Sequence, residues 1–160
     1  MQQPVIHGAF IAPNATVVGD VVLEKDVNIW YGAVLRGDFG AIRVGEGTNI
    51  QDVAVLHEGV TVGRGCTIGH GAIVHGCTIS DNCVVGMGAI ILNGAVLGEH
   101  CLVGAGAVVT GKMNAPAGSL ILGNPAKVVK PLTQAQLDYI HVDARQYVSL
   151  ARTSLPQVNT

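Results

Sequence analysis

At 160 residues and a net charge of −2, the chain has the length of one domain and no charge pattern that would attract nucleic acid or an anionic membrane. Only 12% of its residues are charged, against roughly 25% in ordinary globular proteins, which predicts both a regular apolar core and broad faces covered by other copies of the chain. The 22 glycines are about twice the usual share and suit a fold with many sharp corners.

A six-residue rhythm of aliphatic residues organises most of the chain. It runs from Ile11 to Leu35, gains three residues within 36–43, and resumes from Val44 to Val109. A period of six fits neither an amphipathic helix nor an alternating strand, and it is typical of a β-solenoid. We read the three extra residues as a small excursion at a corner. With three hexads per coil the rhythm predicts about six coils.

Three histidines follow this rhythm in the middle of the chain. His57 and His75 are eighteen residues apart and each follows an inward aliphatic residue, so both should point outward from one face, about 4.8 Å apart. Two imidazoles at that spacing can share one zinc-like ion, whose bonds to nitrogen measure about 2.0–2.1 Å. His70 belongs to another face and would have to come from a neighbouring copy, which predicts three sites around a threefold axis. The alternative is a stack of interface histidines without metal.

Polar residues near these histidines are candidates for supporting roles. A metal bound by three histidines leaves a position for water, whose pKa it can lower to roughly 7, and the hydroxide formed can attack an electrophilic carbon. Asn49 and Gln51 lie one hexad before His57 and would either orient water or substrate or cap coil turns. Arg36 and Asp38 frame the three-residue insertion and would form an intersubunit salt bridge, and Arg36 could also hold an anionic product.

The cysteines and the apolar segments bear on location. Cys66, Cys83 and Cys101 each lie four residues after an aliphatic position, where small inward residues fit, and with Cys77 they show no CxxC spacing. We expect core packing and a reducing, cytoplasmic location. We expect no secretory signal and no membrane span, since no apolar stretch approaches roughly 18 residues.

After Val109 we expect the regular pattern to give way to turns, followed by one helix. Thr133 is a predicted N-cap, with Gln136 completing a capping box. One apolar stripe should then pack on the solenoid or on a neighbour. The stripe consists of Leu137, Ile140, Ala144, Tyr147 and Ala151. The predicted division is a β-helix domain over residues 1–131 and a C-terminal helix and tail over residues 132–160.

Five motifs resemble the gamma-class carbonic anhydrase family. They are VLRGD at 34–38, NIQD at 49–52, VLHE at 55–58, IGHGAIVHGCTI at 68–79 and VGMGA at 85–89. The likeness runs over nearly the whole chain. It implies a mainly β fold, a left-handed parallel β-helix with a C-terminal α-helix, and a homotrimer with a metal at each subunit interface. It also implies reversible hydration of carbon dioxide to bicarbonate by hydroxide on Zn²⁺, with Fe²⁺ or Co²⁺ as alternatives.

The resemblance also implies roles for individual residues. His57 and His75 would bind the metal from one subunit and His70 from the next. Gln51 would contact the bound water or bicarbonate, and Asn49 would support it. The remaining implied residues are Arg36 and Asp38, bridging subunits beside the site, and Tyr147, lining it from the helix.

Three departures from the family pattern predict weak activity. Phe39 stands where the best-studied active form has an acidic residue. His70 stands only thirteen positions after His57, which leaves no room for an acidic loop, and Ser149 replaces an asparagine. Both acidic features move protons, so proton release could limit turnover. Glu58 is either a substitute or a solvated carboxylate.

Two other classes of function share the solenoid. A hexapeptide-repeat acyltransferase would use one histidine as general base beside a channel for coenzyme A, and a metal-dependent thioester hydrolase is a related alternative. In a non-catalytic scaffold the metal would only hold the trimer together. The acyltransferase leaves the coil spacing of His57 and His75 unexplained.

Overall fold

The aliphatic hexads form short strands that stack in parallel around a three-sided coil. In a computed structural model, which describes residues 1–160, Leu35 pairs with Leu56 on the next coil and Leu56 pairs with Val74. All three side chains are fully buried, because each strand turns its aliphatic residue inward. The predicted fold, a parallel β-helix of about six coils with one C-terminal helix, is confirmed.

The structure contains nineteen strands and one helix. In chain order they are β1 Val5–Ile11, β2 Thr16–Leu23, β3 Asn28–Ile29, β4 Val34–Val44, β5 Asn49–Ile50, β6 Val55–His57, β7 Val60–Val62, β8 Thr67–Ile68, β9 Ile73–His75, β10 Thr78–Ile79, β11 Val84–Val85, β12 Ile90–Ile91, β13 Val96–Leu97, β14 Leu102–Val103, β15 Val108–Val109, β16 Asn114–Ala115, β17 Ser119–Gly123, β18 Ala126–Pro131, α1 Gln134–Ser154 and β19 Gln157–Asn159.

Strand pairing from coil to coil defines three faces. The first face contains β6, β9, β12 and β15; the second contains β7, β10, β13 and β16; the third contains β5, β8, β11 and β14. The inward side chains of all three faces meet in one core of 34 buried residues. The four cysteines are buried in this core, which confirms their predicted packing.

The three extra residues within 36–43 form a bulge and not a separate loop. Strand β4 continues around the corner, with Gly37 paired to Gly19 and Ile42 paired to Val21, so the insertion lies between these two pairs. Glycine is required at position 37, because a Cβ atom there would lie 2.5 Å from the carbonyl oxygen of Asp20. The bulge carries Asp38 and the exposed Phe39 at the edge of the first face.

The coil continues further than the sequence pattern predicts. Ala115 pairs with Leu97 and Ile121 pairs with Val103, so two more rungs follow Val109. The expectation that regular structure ends at Val109 is wrong, because alanine is a weak aliphatic signal and the prolines and glycines nearby occupy corners that leave the ladder intact. Strands β17 and β18 then form an antiparallel hairpin.

Helix α1 covers the third face. Thr133 caps it, and both hydrogen bonds of the predicted capping box to Gln136 are present. The predicted stripe faces the β-helix, with Ile140, Ala144 and Ala151 buried and its other two members half-buried. After the helix, β19 pairs antiparallel with β1. No helix in the chain has the length and apolar character that crossing a bilayer requires.

Candidate metal centre

The structure brings His57 and His75 together at the end of the first face. They are register partners on β6 and β9, and Nδ1 of His57 lies 3.1 Å from Nε2 of His75. Two ligands of a tetrahedral ion with bonds of about 2.0–2.1 Å lie about 3.3 Å apart, so this separation suits one shared ion. We call these two atoms the inner nitrogens.

Each ring presents its other nitrogen to a hydrogen-bond acceptor. His57 Nε2 lies 3.0 Å from Asp38 Oδ1, and His75 Nδ1 lies 2.5 Å from Asn93 Oδ1. The amide orientation of Asn93 follows from its Nδ2, which donates to Glu58 Oε2 at 2.8 Å. We call His57 Nε2 and His75 Nδ1 the outer nitrogens. Because Asp38 Oδ1 and Asn93 Oδ1 are both acceptors, the outer nitrogens carry the hydrogens, and in neutral rings the inner nitrogens then carry none. Two lone pairs facing each other at 3.1 Å repel unless a shared proton or a bound metal ion lies between the nitrogens.

Asp38 connects the histidine pair to the bulge. Its Oδ2 accepts a hydrogen bond from Arg36 at 2.8 Å, so the two residues predicted to bridge subunits pair with each other within the chain. Desolvation raises the pKa of Asp38, but the hydrogen bonds from His57 and the backbone, with the charge of Arg36, outweigh it and hold that pKa below its usual value. The ring of Phe39 meets His57 edge-on, with centroids 6.0 Å apart.

His70 lies at the opposite edge of the first face from the pair. It occupies the corner between β8 and β9, and its Nδ1 is 2.8 Å from Asp52 Oδ2, which leaves Nε2 available. A turn at His70 and Gly71 and the length of β9 separate it from His75. One chain therefore holds two of the three predicted ligands together and presents the third elsewhere, as the coil arithmetic requires.

Asn49 and Gln51 form a buried chain of hydrogen bonds beneath His70. Asn49 Nδ2 donates to Thr67 Oγ1 at 2.8 Å and to a backbone carbonyl at 3.2 Å, and Gln51 Nε2 donates to Asn49 Oδ1 at 3.1 Å. Gln51 Oε1 accepts the backbone N–H of His70 at 3.2 Å. The two amides therefore brace the corner that carries His70, which agrees with the turn-capping alternative and leaves their contact with a ligand a prediction.

Tyr147 shares a cavity of about 300 Å³ with Gln51 and His70. Its ring packs edge-on against Trp30, with centroids 5.5 Å apart. Burial raises the pKa of Tyr147, and the negative charges of Asp143 and Asp52 raise it further, so the hydroxyl keeps its proton at neutral pH. Helix α1 thus places Tyr147 in the same cavity as His70, and its role at a metal centre stays a prediction.

Two residues of the site escaped the sequence reasoning. Asn93 binds His75, and Asp52 binds His70. Each is eighteen residues from the histidine it supports, so the coil period that paired His57 with His75 is the signal that could have found them.

Comparisons with known proteins cover nearly the whole chain. A family model described as the GMPPB C-terminal domain matches residues 39–136. A probable carbonic anhydrase of Methanocaldococcus jannaschii is 48% identical over 147 residues, covering 89% of this chain and 92% of that protein. Gamma carbonic anhydrase 2, mitochondrial, of Arabidopsis thaliana is 44% identical over 153 residues, or 89% of this chain. That match covers 55% of the Arabidopsis protein, so the chain spans about half its length.

A solved structure shows the same fold. A hexapeptide transferase family protein from Anaplasma phagocytophilum superposes with a TM-score of 0.92 at 43% sequence identity, covering 95% of this chain and 93% of that one.

Proposed function

We propose a metal-dependent function from the premise that this chain belongs to the gamma-class carbonic anhydrase family and, over residues 39–136, to the GMPPB C-terminal domain family. The proposed reaction is the reversible hydration of carbon dioxide to bicarbonate. The proposed centre is a zinc-class ion, Zn²⁺ or alternatively Fe²⁺ or Co²⁺, bound by His57 and His75 of one subunit and His70 of the next in a homotrimer.

The single observation that carries the proposal is the pair of bare inner nitrogens. When both rings donate their outer hydrogens to Asp38 and Asn93 and carry no second proton, two lone pairs face each other at 3.1 Å. This arrangement is unfavourable without a cation and is the usual way in which acceptors fix a metal-binding histidine. An imidazole set with open positions suits a catalytic zinc-class ion.

The outward side chains support a trimer built on the first face. On each face, the residues that precede the buried aliphatic residues point outward and stack one above another from coil to coil, and we call such a stack an outward column. The outward column of the first face is apolar, whereas that of the second face is mostly polar. The first-face column is Val34, Val55, Ile73, Ile90 and Val108. The second-face column is Arg43, Thr61, Thr78, Val96 and Asn114. Copies packed through the first face would hide the apolar column and let His70, at one edge, meet the histidine pair at the other edge of a neighbour.

The residues of the chain have defined tasks in this reaction. When bound, the ion would supply Lewis-acid activation of water. Asp38 and Asn93 fix the two rings, Gln51 holds the backbone at His70, and Phe39 covers one side of His57. Glu58, tied to Asn93 and 3.9 Å from His75, is the carboxylate we assign to take up the released proton. Its partly exposed position suits delivery of this proton to solvent. Because one carboxylate replaces the acidic loop, we expect a modest rate of carbon dioxide hydration.

Mixed trimers test the shared centre. His70→Ala retains the pair, and His57→Ala retains His70, so each variant alone should lack the interface metal and hydrate carbon dioxide no faster than buffer. Trimers refolded from equal amounts of both should recover about a quarter of the wild-type interface metal and activity, since one interface in four then combines intact halves. Elemental analysis and a stopped-flow hydration assay measure the two outcomes. No recovery in mixed trimers would overturn the shared centre.

The same preparations separate the alternatives. Wild-type protein that binds metal at the interface but leaves carbon dioxide unreacted would overturn the proposed reaction while keeping the centre. Acyl transfer from acetyl-CoA would then favour an acyltransferase, and hydrolysis of a thioester would favour a hydrolase. A trimer that merely falls apart on chelation would favour a scaffold. We also propose a cytoplasmic location, which the four buried cysteine thiols suit.

A further inference from the structure

A second pair of histidines faces each other where helix α1 meets the β-helix. His100 lies in the corner between β13 and β14, and His141 lies on α1. Their Nε2 atoms are 3.2 Å apart, their ring centroids 5.2 Å apart, and their planes inclined by 61°. The corresponding values for His57 and His75 are 3.1 Å, 5.1 Å and 59°. The two pairs are therefore similar in nitrogen separation and ring inclination, although His57 faces its partner with Nδ1 and His100 and His141 face each other with Nε2.

The backbone at His100 is in a conformation that most side chains avoid. Its φ of 55° lies in the left-handed region, and the same corner position on the other coils is taken by residues that tolerate this region well. They are Asp26, Gly47, Gly65, Asn82 and Gly118. Histidine is also enriched in this region, so the backbone accommodates His100 at this corner and directs its side chain toward helix α1.

The surroundings of the pair provide room and a further ligand. His100 and His141 line an open cavity of about 390 Å³ together with Gln134 and Asp138. Asp138 lies three residues before His141 and so on the same side of the helix. Its carboxylate accepts a hydrogen bond from Gln134 at 3.0 Å, an exposed contact that a metal ligand bond would replace. No third histidine, cysteine or carboxylate is already in ligand position, so water would complete the shell.

We propose that His100 and His141 bind a second zinc-class ion through their Nε2 atoms, with the carboxylate of Asp138 and water as the remaining ligands. Imidazole with carboxylate suits Zn²⁺ and its neighbours in the first transition row. The site joins the second and third faces at the start of α1, so it clips the helix to the β-helix. It uses no residue of the first face and does not depend on the proposed reaction or on the trimer contact.

Zinc stoichiometry tests the second site directly. Metal-free trimer is dialysed against Zn²⁺ and analysed for zinc per chain. His100→Asn is the sharpest variant, because Asn82 occupies the equivalent corner one coil earlier with a φ of 56°, so the backbone accommodates asparagine. His141→Gln tests the other ligand. His7→Asn, an exposed histidine on β1, is the control. Wild type and the His7 variant should bind one zinc per chain more than either site variant.

A variant that lacks the proposed interface centre allows the second site to be tested independently of the proposed function. In His57→Ala protein, added Zn²⁺ should still raise the melting temperature, and the added His100→Asn substitution should remove that rise. Asp138→Asn in the same background should weaken zinc binding about tenfold. Equal zinc content in wild type and His100→Asn protein would overturn the second site and show that the imidazoles only hydrogen-bond to each other.

Discussion

At the scale of single residues, the paired histidines are held by two acceptors of different charge. Asp38 is an ionised carboxylate tied to Arg36, whereas Asn93 is a neutral amide tied to Glu58. A carboxylate makes the imidazole that donates to it a stronger electron donor, so the two ligands are tuned unequally while both rings are fixed. In the proposed centre, Asp38 and Asn93 would thus set the charge around the ion without binding it.

Asn93 can be removed without touching a ligand. Asn93→Ala should lower the zinc affinity of the interface centre 10- to 100-fold, because His75 loses the acceptor that fixes its tautomer and orientation. Competition with a chelator in the His100→Asn background measures this affinity at one class of site. Asn114→Ala, an exposed asparagine on the second face, should leave the affinity unchanged. Equal affinities for the two variants would show that Asn93 does not position the ligand.

The lowered pKa of Asp38 predicts a pH-dependent stability in metal-free protein. A carboxyl group whose pKa falls on folding stabilises the folded state above its unfolded pKa of about 3.9, and this contribution is lost as the pH falls through the lowered folded value. Asp38→Asn should therefore be less stable than wild type at pH 5.5, and the difference should shrink by pH 2.5. Urea unfolding at both pH values tests this. A difference independent of pH would assign the loss to geometry and not to charge.

The coil period explains which site residues the sequence predicts. A three-hexad coil fixes the pairing of His57 with His75, because residues eighteen apart become register partners wherever the steps are regular. The same period also places Asn93 one coil after His75 and Asp52 one coil before His70, but it does not distinguish a supporting role from the backbone reasons for which asparagine and aspartate occur at corners. The eighteen-residue spacing does not determine the side-chain rotations of His57 and His75. Those rotations decide whether the inner nitrogens face each other.

At the scale of elements, helix α1 is the part that the sequence specifies most completely. Its cap, its stripe and its start at Gln134 all follow from local rules. The final coil is the opposite case, because Ala115 and Ile121 keep the six-residue spacing but stand among prolines and glycines that locally predict turns. Ala115 and Ile121 form strands because they pair in parallel with β13 and β14, and this pairing joins residues that are not neighbours in the sequence.

The cap of α1 should contribute measurably to stability. Thr133→Ala removes the side chain that accepts the Gln136 N–H and should lower the free energy of unfolding by about 1 kcal/mol. Chemical denaturation at one fixed chain concentration measures this, since assembly affects apparent stability. Thr153→Ala, in the last turn of the same helix, should change it by less than about half as much. Equal losses would assign the effect to helix propensity and not to the cap.

At the scale of the whole molecule, the three faces of the β-helix have three different environments. Helix α1 covers the third face, and the second face presents a mostly polar column to solvent. The first face presents the apolar column in the middle of which Ile73 stands 39% exposed. The exposed apolar column thus lies where another copy would pack, and the proposed metal centre would need that same contact.

A charge placed on the first face should therefore separate the subunits. Ile73→Lys would bury an unpaired ammonium in the trimer contact, which costs several kcal/mol, so the protein should become monomeric. Thr78→Lys places the same charge on the outward column of the second face and should remain trimeric. Light scattering measures the mass. Zinc analysis should show loss of the interface ion from the Ile73 variant and retention of the ion at His100 and His141. A trimeric Ile73 variant with full zinc content would exclude the first face as the contact.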